Sequence, residues 1–214
     1  MNKNIYIGIM TGTSVDAIDI AMASFEGGGI QIIAMDEFPF SLELQNYLKS
    51  LTQDISLKDL SQLDIRYTDE IAESVKQFLE KYALIPSQVN SIGFHGQTLW
   101  HQPTKEGFLG QNISSTYQLG SGAHLAQKTG IDVVSDFRTA DMAVGGQGAP
   151  LIPIFDYAFL GEDNIDTIVL NIGGIANITF LQKLMKKEFV IPVLLAVVIG
   201  LGGWTLIQTN KLDS

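Results

Sequence analysis

The sequence predicts an α/β protein built on a mixed sheet, and three observations carry that expectation. Apolar, β-prone runs at Ile5–Met10, Ile18–Phe25 and Ile30–Met35 are joined by small-residue stretches at Thr11–Ser14 and Gly27–Gly29, which reads as three consecutive strands. From Leu57 onward apolar residues recur at three- and four-residue spacing, which reads as a long amphipathic helix. Short strand candidates at Ser91–Phe94, Thr116–Leu119 and Val133–Ser135 then alternate with helical or loop stretches, the order expected of an α/β domain.

The helix has a start signal of its own. Ser56 with Asp59 three residues on is the pattern of an N-cap with an acidic N3 residue. Leu57, Leu60, Asp64, Tyr67, Ile71, Val75, Phe78 and Tyr82 follow on one face, with Asp64 the single polar exception. Further on, Thr167–Asn171 and Ala176–Leu181 flank Gly173-Gly174 and repeat the opening pattern of strand, glycine turn and strand. The expected division is a first domain over residues 1–165, the start of a second over 166–182, and an unrelated tail over 183–214.

That tail differs in composition from the body. Residues 1–182 hold 9 Lys and Arg against 21 Asp and Glu, a net of −12, whereas residues 183–214 hold 4 against 2, a net of +2. Between Phe189 and Ile207 lie 19 residues without a charge, preceded by Lys183, Lys186 and Lys187. Length and flank predict a transmembrane helix over 189–207, and Pro192, Gly200, Gly202 and Gly203, which weaken a soluble helix, are tolerated in membranes. A buried core helix is the competing reading.

The acidic body argues against nucleic acid as a partner, because nonspecific affinity comes largely from Lys and Arg neutralising phosphates. Cysteine is absent, so disulfides, zinc-thiolate sites and a cysteine nucleophile are excluded. The N-terminal apolar run is far too short for a secretory h-region, so the body is expected in the cytoplasm, tethered to a membrane if the tail inserts.

Three segments could carry chemistry. In the first, Gly12, Thr13, Ser14, Val15, Asp16, Ala17, Ile18 and Asp19 follow a strand. A small-residue turn of this kind can present N–H groups and hydroxyls to phosphate oxygens, and Asp16 and Asp19 could hold Mg²⁺ beside them. Taken alone the segment also reads as an ordinary hairpin with aspartates as turn formers, and it lacks the GxxxxGK[ST] pattern. In the second, His95 and Gln97 stand at a strand end, where open α/β sheets gather ligand groups. In the third, Asp136, Arg138 and Asp141 precede the glycine-rich run Gly145–Gly148, a combination suited to sugar hydroxyls and equally to a surface loop. A structural, hydrogen-bonded histidine is the competing reading for His95 and the reading given to His101 and His124. No G-x-S-x-G elbow is present.

Four runs in order, GIMTGTSVDAID (8–19), GFHGQTLWHQP (93–103), QLGSGAHLAQKTGIDVVSDFRTADMAVGGQGAPLIP (118–153) and VLNIGGIANITFL (169–181), resemble the anhydro-N-acetylmuramic acid kinase family over about residues 4–181. The resemblance implies an actin-like, ribonuclease H-like ATPase fold of two domains. It also implies ATP and Mg²⁺ as cofactors, a homodimer, and phosphorylation of 1,6-anhydro-N-acetylmuramic acid on its 6-oxygen as hydrolysis opens the anhydro ring. By position, Gly12 to Asp19 match the family's first phosphate-binding segment, and Gly173 and Gly174 lie in its second glycine turn. His95, Gln97, Arg138 and Asp141 match residues expected around the sugar cleft.

Two departures stand out. Ala17 occupies a position where the family usually has Gly, and the Asp-Thr-Gly-Pro-type segment that carries the family's catalytic aspartate does not follow Leu181. The sequence therefore also supports an alternative, a truncated or chimeric remnant without kinase activity, or a membrane-tethered module that binds sugar or nucleotide.

Overall fold

The computed structural model describes residues 4–26, 29–162, 165–172, 176–182 and 204–208. Three strands open the chain: β1 (Ile5–Thr11), β2 (Ala17–Glu26) and β3 (Gly29–Pro39). Helices α1 (Leu42–Lys49) and α2 (Leu57–Lys81) follow, then β4 (Val89–Phe94), the hairpin β5 (Gln97–Phe108) and β6 (Gln111–Leu119), α3 (Gly122–Thr129) and β7 (Val133–Ser135). Helices α4 (Phe137–Ala143) and α5 (Ile152–Phe155), a π-helical turn at Asp156–Leu160, and strands β8 (Thr167–Ile172), β9 (Ala176–Leu181) and β10 (Trp204–Gln208) complete it.

The main sheet has the order β3-β2-β1-β4-β7. The first three strands pair antiparallel, while β1 with β4 and β4 with β7 pair parallel, so the sheet is mixed as the sequence predicts. Alternation along β1 and β2 sends Ile7, Ile9, Ile18 and Ile20 to one face, all fully buried, where α2 covers them with Tyr67, Ile71, Val75 and Phe78. The opposite face mixes small residues with aromatic ones, Gly8, Ala21 and Ala23 beside Tyr6 and Phe25. Ala21 and Ala23 are buried there, and Phe159 packs on Phe25 with ring centroids 5.7 Å apart.

Helix α2 begins where its cap signal places it. The Ser56 hydroxyl accepts from the Asp59 N–H at 3.1 Å and donates to the Asp59 carboxylate at 2.7 Å. Asp64, the polar exception on the apolar face, accepts from the Gly120 N–H at 2.6 Å, and Thr68 one turn on accepts from the Ser121 N–H at 3.0 Å. These two bonds hold the turn into α3, whose own cap is Ser121. At the other end, Glu70 bonds the N–H and hydroxyl of Ser41, the N-cap of α1, and pairs with Arg66 at 2.6 Å.

The structure departs from the sequence expectations in two places. Only Thr116–Leu119 was expected as a strand in the region where β5 and β6 form a long hairpin. Its turn residues Leu109 and Gly110 have φ of 48° and 80°, the paired left-handed geometry of a tight hairpin turn. In the tail, Trp204–Gln208 is a strand paired antiparallel with β8, so the helix expected over 189–207 does not extend through Trp204–Ile207. Backbone bonds to β8 satisfy that segment as a strand, a tertiary contact that hydropathy alone does not encode. Residues 189–203 lie outside the described residues, and among the described residues no helix is long and apolar enough to cross a membrane. Strands β8 and β9 pair through Ile172 and Ala176 as the repeated strand pattern predicts, while Gly27, Gly28, Gly173 and Gly174 lie outside the described residues.

Gly120 is where the packing tolerates no side chain. Its φ is 120°, and a Cβ there would come 2.5 Å from Phe94 Cζ. Gly130, the left-handed cap of α3 at φ 71°, has only Pro86 Cβ nearby, at 3.9 Å. Gly120→Ala is therefore expected to lower stability by about 3 kcal/mol, combining strain with overpacking, against about 1 kcal/mol for Gly130→Ala. Urea unfolding midpoints at unchanged m-value measure the difference.

Candidate functional site

The three parallel strands all end at one edge of the sheet, and each end leads into one of the candidate segments. Thr11, the last residue of β1, is followed by Gly12; Phe94 of β4 by His95; and Ser135 of β7 by Asp136.

After β1 the chain turns sharply. The Val15 N–H donates to the Gly12 carbonyl at 3.1 Å, and Val15 sits at φ 53°, a left-handed conformation costly for a β-branched residue. Burial of the Val15 side chain and a clamp from α1 hold it there: Gln45 Nε2 donates to the Val15 carbonyl at 2.9 Å and to the Asp16 carbonyl at 3.3 Å. One turn on in α1, Lys49 Nζ lies 3.4 Å from the Asp16 carboxylate. Gln45 and Lys49 escaped the sequence reading, and their four-residue spacing after the Ser41 cap signal is the one feature that could have drawn attention to them. Below the turn, the Thr11 hydroxyl and the buried Tyr67 phenol are 2.9 Å apart.

Thr13, Ser14 and Asp16 are exposed, Gly12, Ala17 and Asp19 half-buried, and Ile18 is core. A hydrogen bond from Ser14 and then the Lys49 ammonium hold the Asp16 carboxyl below its usual range. Asp19 is the opposite case. Partial burial, then the Glu37 carboxylate directly across the β2–β3 ladder, push it up to about 6. Two oxygen-donor side chains close to a turn able to face phosphates suit Mg²⁺. No group of three or more His, Cys, Asp or Glu able to hold a metal occurs among the described residues.

The second and third segments meet. Asp136 enters α4 through a left-handed conformation at φ 60°, which aims the first turn of the helix back toward β4. Arg138 Nε then donates to His95 Nε2 at 3.0 Å, while His95 Nδ1 lies 2.7 Å from the Gly96 carbonyl. A carbonyl can only accept, so Nδ1 carries the proton and Nε2 is the bare nitrogen. Burial, then the Arg138 charge, lower His95 to about 4, which keeps the ring neutral. Arg138 also donates through Nη1 to the Gly148 carbonyl at 3.2 Å, and the Gly148 N–H donates to Asp141 Oδ2 at 2.7 Å. The Asp141 carbonyl accepts from Gly146 at 2.9 Å, where any side chain would collide with the Asp141 carboxylate.

The expected sugar residues therefore divide in two. His95 has both ring nitrogens bonded within the chain and Asp141 is engaged with the glycine loop, while Arg138 keeps guanidinium N–H groups without a protein acceptor among the described residues. Gln97, only 3% exposed, has its Oε1 unpartnered. An open groove of about 310 Å³ runs beside this cluster between Ser114, Ser115 and Thr116 of β6 and Thr139, Met142 and Ala143 of α4. A larger groove of about 390 Å³, lined by Glu43, Tyr47, Asp59 and Arg66 among others, involves none of the candidate residues, and we assign it no chemistry.

The family model for anhydro-N-acetylmuramic acid kinase matches residues 4–187. The chain belongs to the anhydro-N-acetylmuramic acid kinase family. A kinase of that description from Haemophilus influenzae is 42% identical over 183 residues, covering 85% of this chain and 46% of the relative. The counterpart from Vibrio vulnificus strain CMCP6 is 41% identical over 182 residues, covering 84% and 48%, and that from Pasteurella multocida is 40% identical over 188, covering 87% and 48%. The chain thus spans about half the length of the curated relatives it matches. All three strand-end segments fall within the matched residues of this kinase family.

Asp19 gives the site a pH signature. Its folded pKa lies above the ordinary 3.8, so between there and about 6 the folded chain binds more protons than the unfolded one, and stability falls as pH rises through that window. Asp19→Asn is expected to be more stable than the parent at pH 7, with the advantage shrinking as pH falls toward 3.8. Thermal unfolding across pH reads this directly, and a variant less stable at pH 7 would contradict it.

Proposed function

We propose that this chain carries the first-domain half of an ATP-dependent kinase for 1,6-anhydro-N-acetylmuramic acid, which transfers phosphate to the 6-oxygen as water opens the anhydro ring. The observation that carries the reading is the convergence of three candidate segments on one sheet edge, at the carboxyl ends of β1, β4 and β7. In this reading residues 166–182 begin the second domain, with Gly173 and Gly174 in its phosphate-facing turn.

The geometry supports a role for each segment. The exposed Thr13 and Ser14 hydroxyls and the N–H groups of the clamped turn face phosphate oxygens, with Asp16 and Asp19 supplying carboxylate oxygens for the cation. Bound MgATP supplies the phosphoryl group and partly neutralises its charge. Arg138, held on two sides, directs its remaining N–H groups to sugar oxygens, and the buried, unpartnered Oε1 of Gln97 is an acceptor that a sugar hydroxyl could satisfy. Positioning of this kind is the main thing a protein contributes to phosphoryl transfer. These roles are the binding and positioning of the two ligands, the contribution the described residues support.

Calorimetric titration of the full chain with 1,6-anhydro-N-acetylmuramic acid tests the reading. Arg138→Ala is expected to weaken binding on the order of tenfold or more, the scale of losing hydrogen bonds from a charged group. Equal affinity in the parent and the variant would remove Arg138, and with it the sugar site, from the proposal.

A further inference from the structure

We propose that His95 is a positioning residue, not a ligand group: its neutral Nδ1–H ring acts as a fixed acceptor that holds the Arg138 guanidinium in register with the glycine loop at Gly148. The proposal rests on the reading above only in taking Arg138 to face the sugar; the hydrogen-bond relay itself stands on the geometry of the chain.

Four hydrogen bonds in series make the relay, from the Gly96 carbonyl through the His95 ring and the Arg138 guanidinium to the Gly148 backbone and the Asp141 carboxylate. At the ring, the bond on one nitrogen fixes the polarity of the other. The Gly96 carbonyl accepts from Nδ1–H, which leaves Nε2 as an acceptor, and only a donor such as Arg138 Nε can then meet it. Adding a proton to the ring would set an Nε2–H against the Arg138 Nε–H and break the relay at its centre. Arg138 of α4 is the charged group in contact with the ring; His101 of β5 is held below its usual range by burial and then by the same Arg138, and Asp141 of α4 accepts from the Gly148 N–H at the far end of the relay. His95 is 6% exposed, and its backbone N–H is bonded to the Ile9 carbonyl at 3.3 Å, so the residue that carries the acceptor is anchored to β1. A buried histidine serving only to fill space would not need a cation as its partner.

The experiment compares His95→Gln, whose amide oxygen can replace the Nε2 acceptor, with His95→Leu, which cannot. Long-range proton–nitrogen NMR of the full chain, assigned among its three histidines by the variants, first reads the ring. The expected parent spectrum is a neutral Nδ1–H tautomer persisting well below pH 6.5, with a distinct, slowly exchanging Arg138 Nε–H, and Arg138→Met should raise the His95 titration midpoint. An Nε2–H tautomer, or a midpoint unmoved by Arg138→Met, would overturn the proposal whether or not any sugar binds. Sugar titration then separates the roles: His95→Leu should weaken binding on the order of tenfold and His95→Gln should recover most of it. Equal losses in both, with each folded by circular dichroism, would make His95 a direct ligand and reject the positioning role. If the parent binds no sugar, the proposed function fails while the spectra still decide the relay.

Discussion

Everything in the site depends on the parallel pairing of β1, β4 and β7. Parallel strands deliver their carboxyl ends to one edge, so three turns far apart in sequence become neighbours without any one of them specifying the others. Antiparallel pairing of β4 against β1 would carry His95 to the opposite edge from Gly12. The helix α2 enforces the arrangement by burying the isoleucines of β1, β2 and β4 together, and through Asp64 and Thr68 it also holds the Gly120–Ser121 turn into α3 that returns the chain to β7.

Two backbone positions at this edge are held in unfavourable conformations. Val15 and Asp136 adopt left-handed geometry, at a cost of roughly 1–2 kcal/mol each for residues other than glycine, and each lies within two residues of one proposed to face a ligand, Asp16 and Arg138. At Val15 the compensation is visible in the clamp from Gln45 and the burial of the side chain. At Asp136 the helix that follows is anchored through Arg138 to His95 and Gly148. Strain retained at such turns, with bonds from other elements to keep it, is what a preorganised binding edge requires.

Much of the fold was legible because its signals are local. The opening strands and α2 follow from residue periodicity, and the one polar exception, Asp64, proved to have a partner in the Gly120 N–H. The β5–β6 hairpin was not legible beyond Thr116–Leu119, since much of Gln97–Phe108 is exposed and carries no two-residue alternation. The apolar tail misled over Trp204–Ile207, where strand pairing with β8 prevails over the helix that hydropathy suggests. In the site, His95, Gln97, Arg138 and Asp141 were found as residue types in a plausible order, yet their roles were not. Whether His95 faces a ligand or Arg138 depends on a contact across 43 residues that only the β4–β7 pairing creates. Gln45 and Lys49 escaped for the same reason, because only the placement of α1 brings them to Val15 and Asp16.

The central claim is that one sheet edge serves two ligands. Amide shift mapping by proton–nitrogen NMR, with a non-hydrolysable MgATP analogue and then 1,6-anhydro-N-acetylmuramic acid added to the full chain, tests it most directly. The account predicts that the nucleotide perturbs Gly12–Asp19 and that the sugar perturbs Gly96, Gln97 and the stretch from Arg138 to Gly148. Perturbations confined to the groove lined by Glu43, Tyr47 and Arg66, or to β8 and β9 alone, would contradict it.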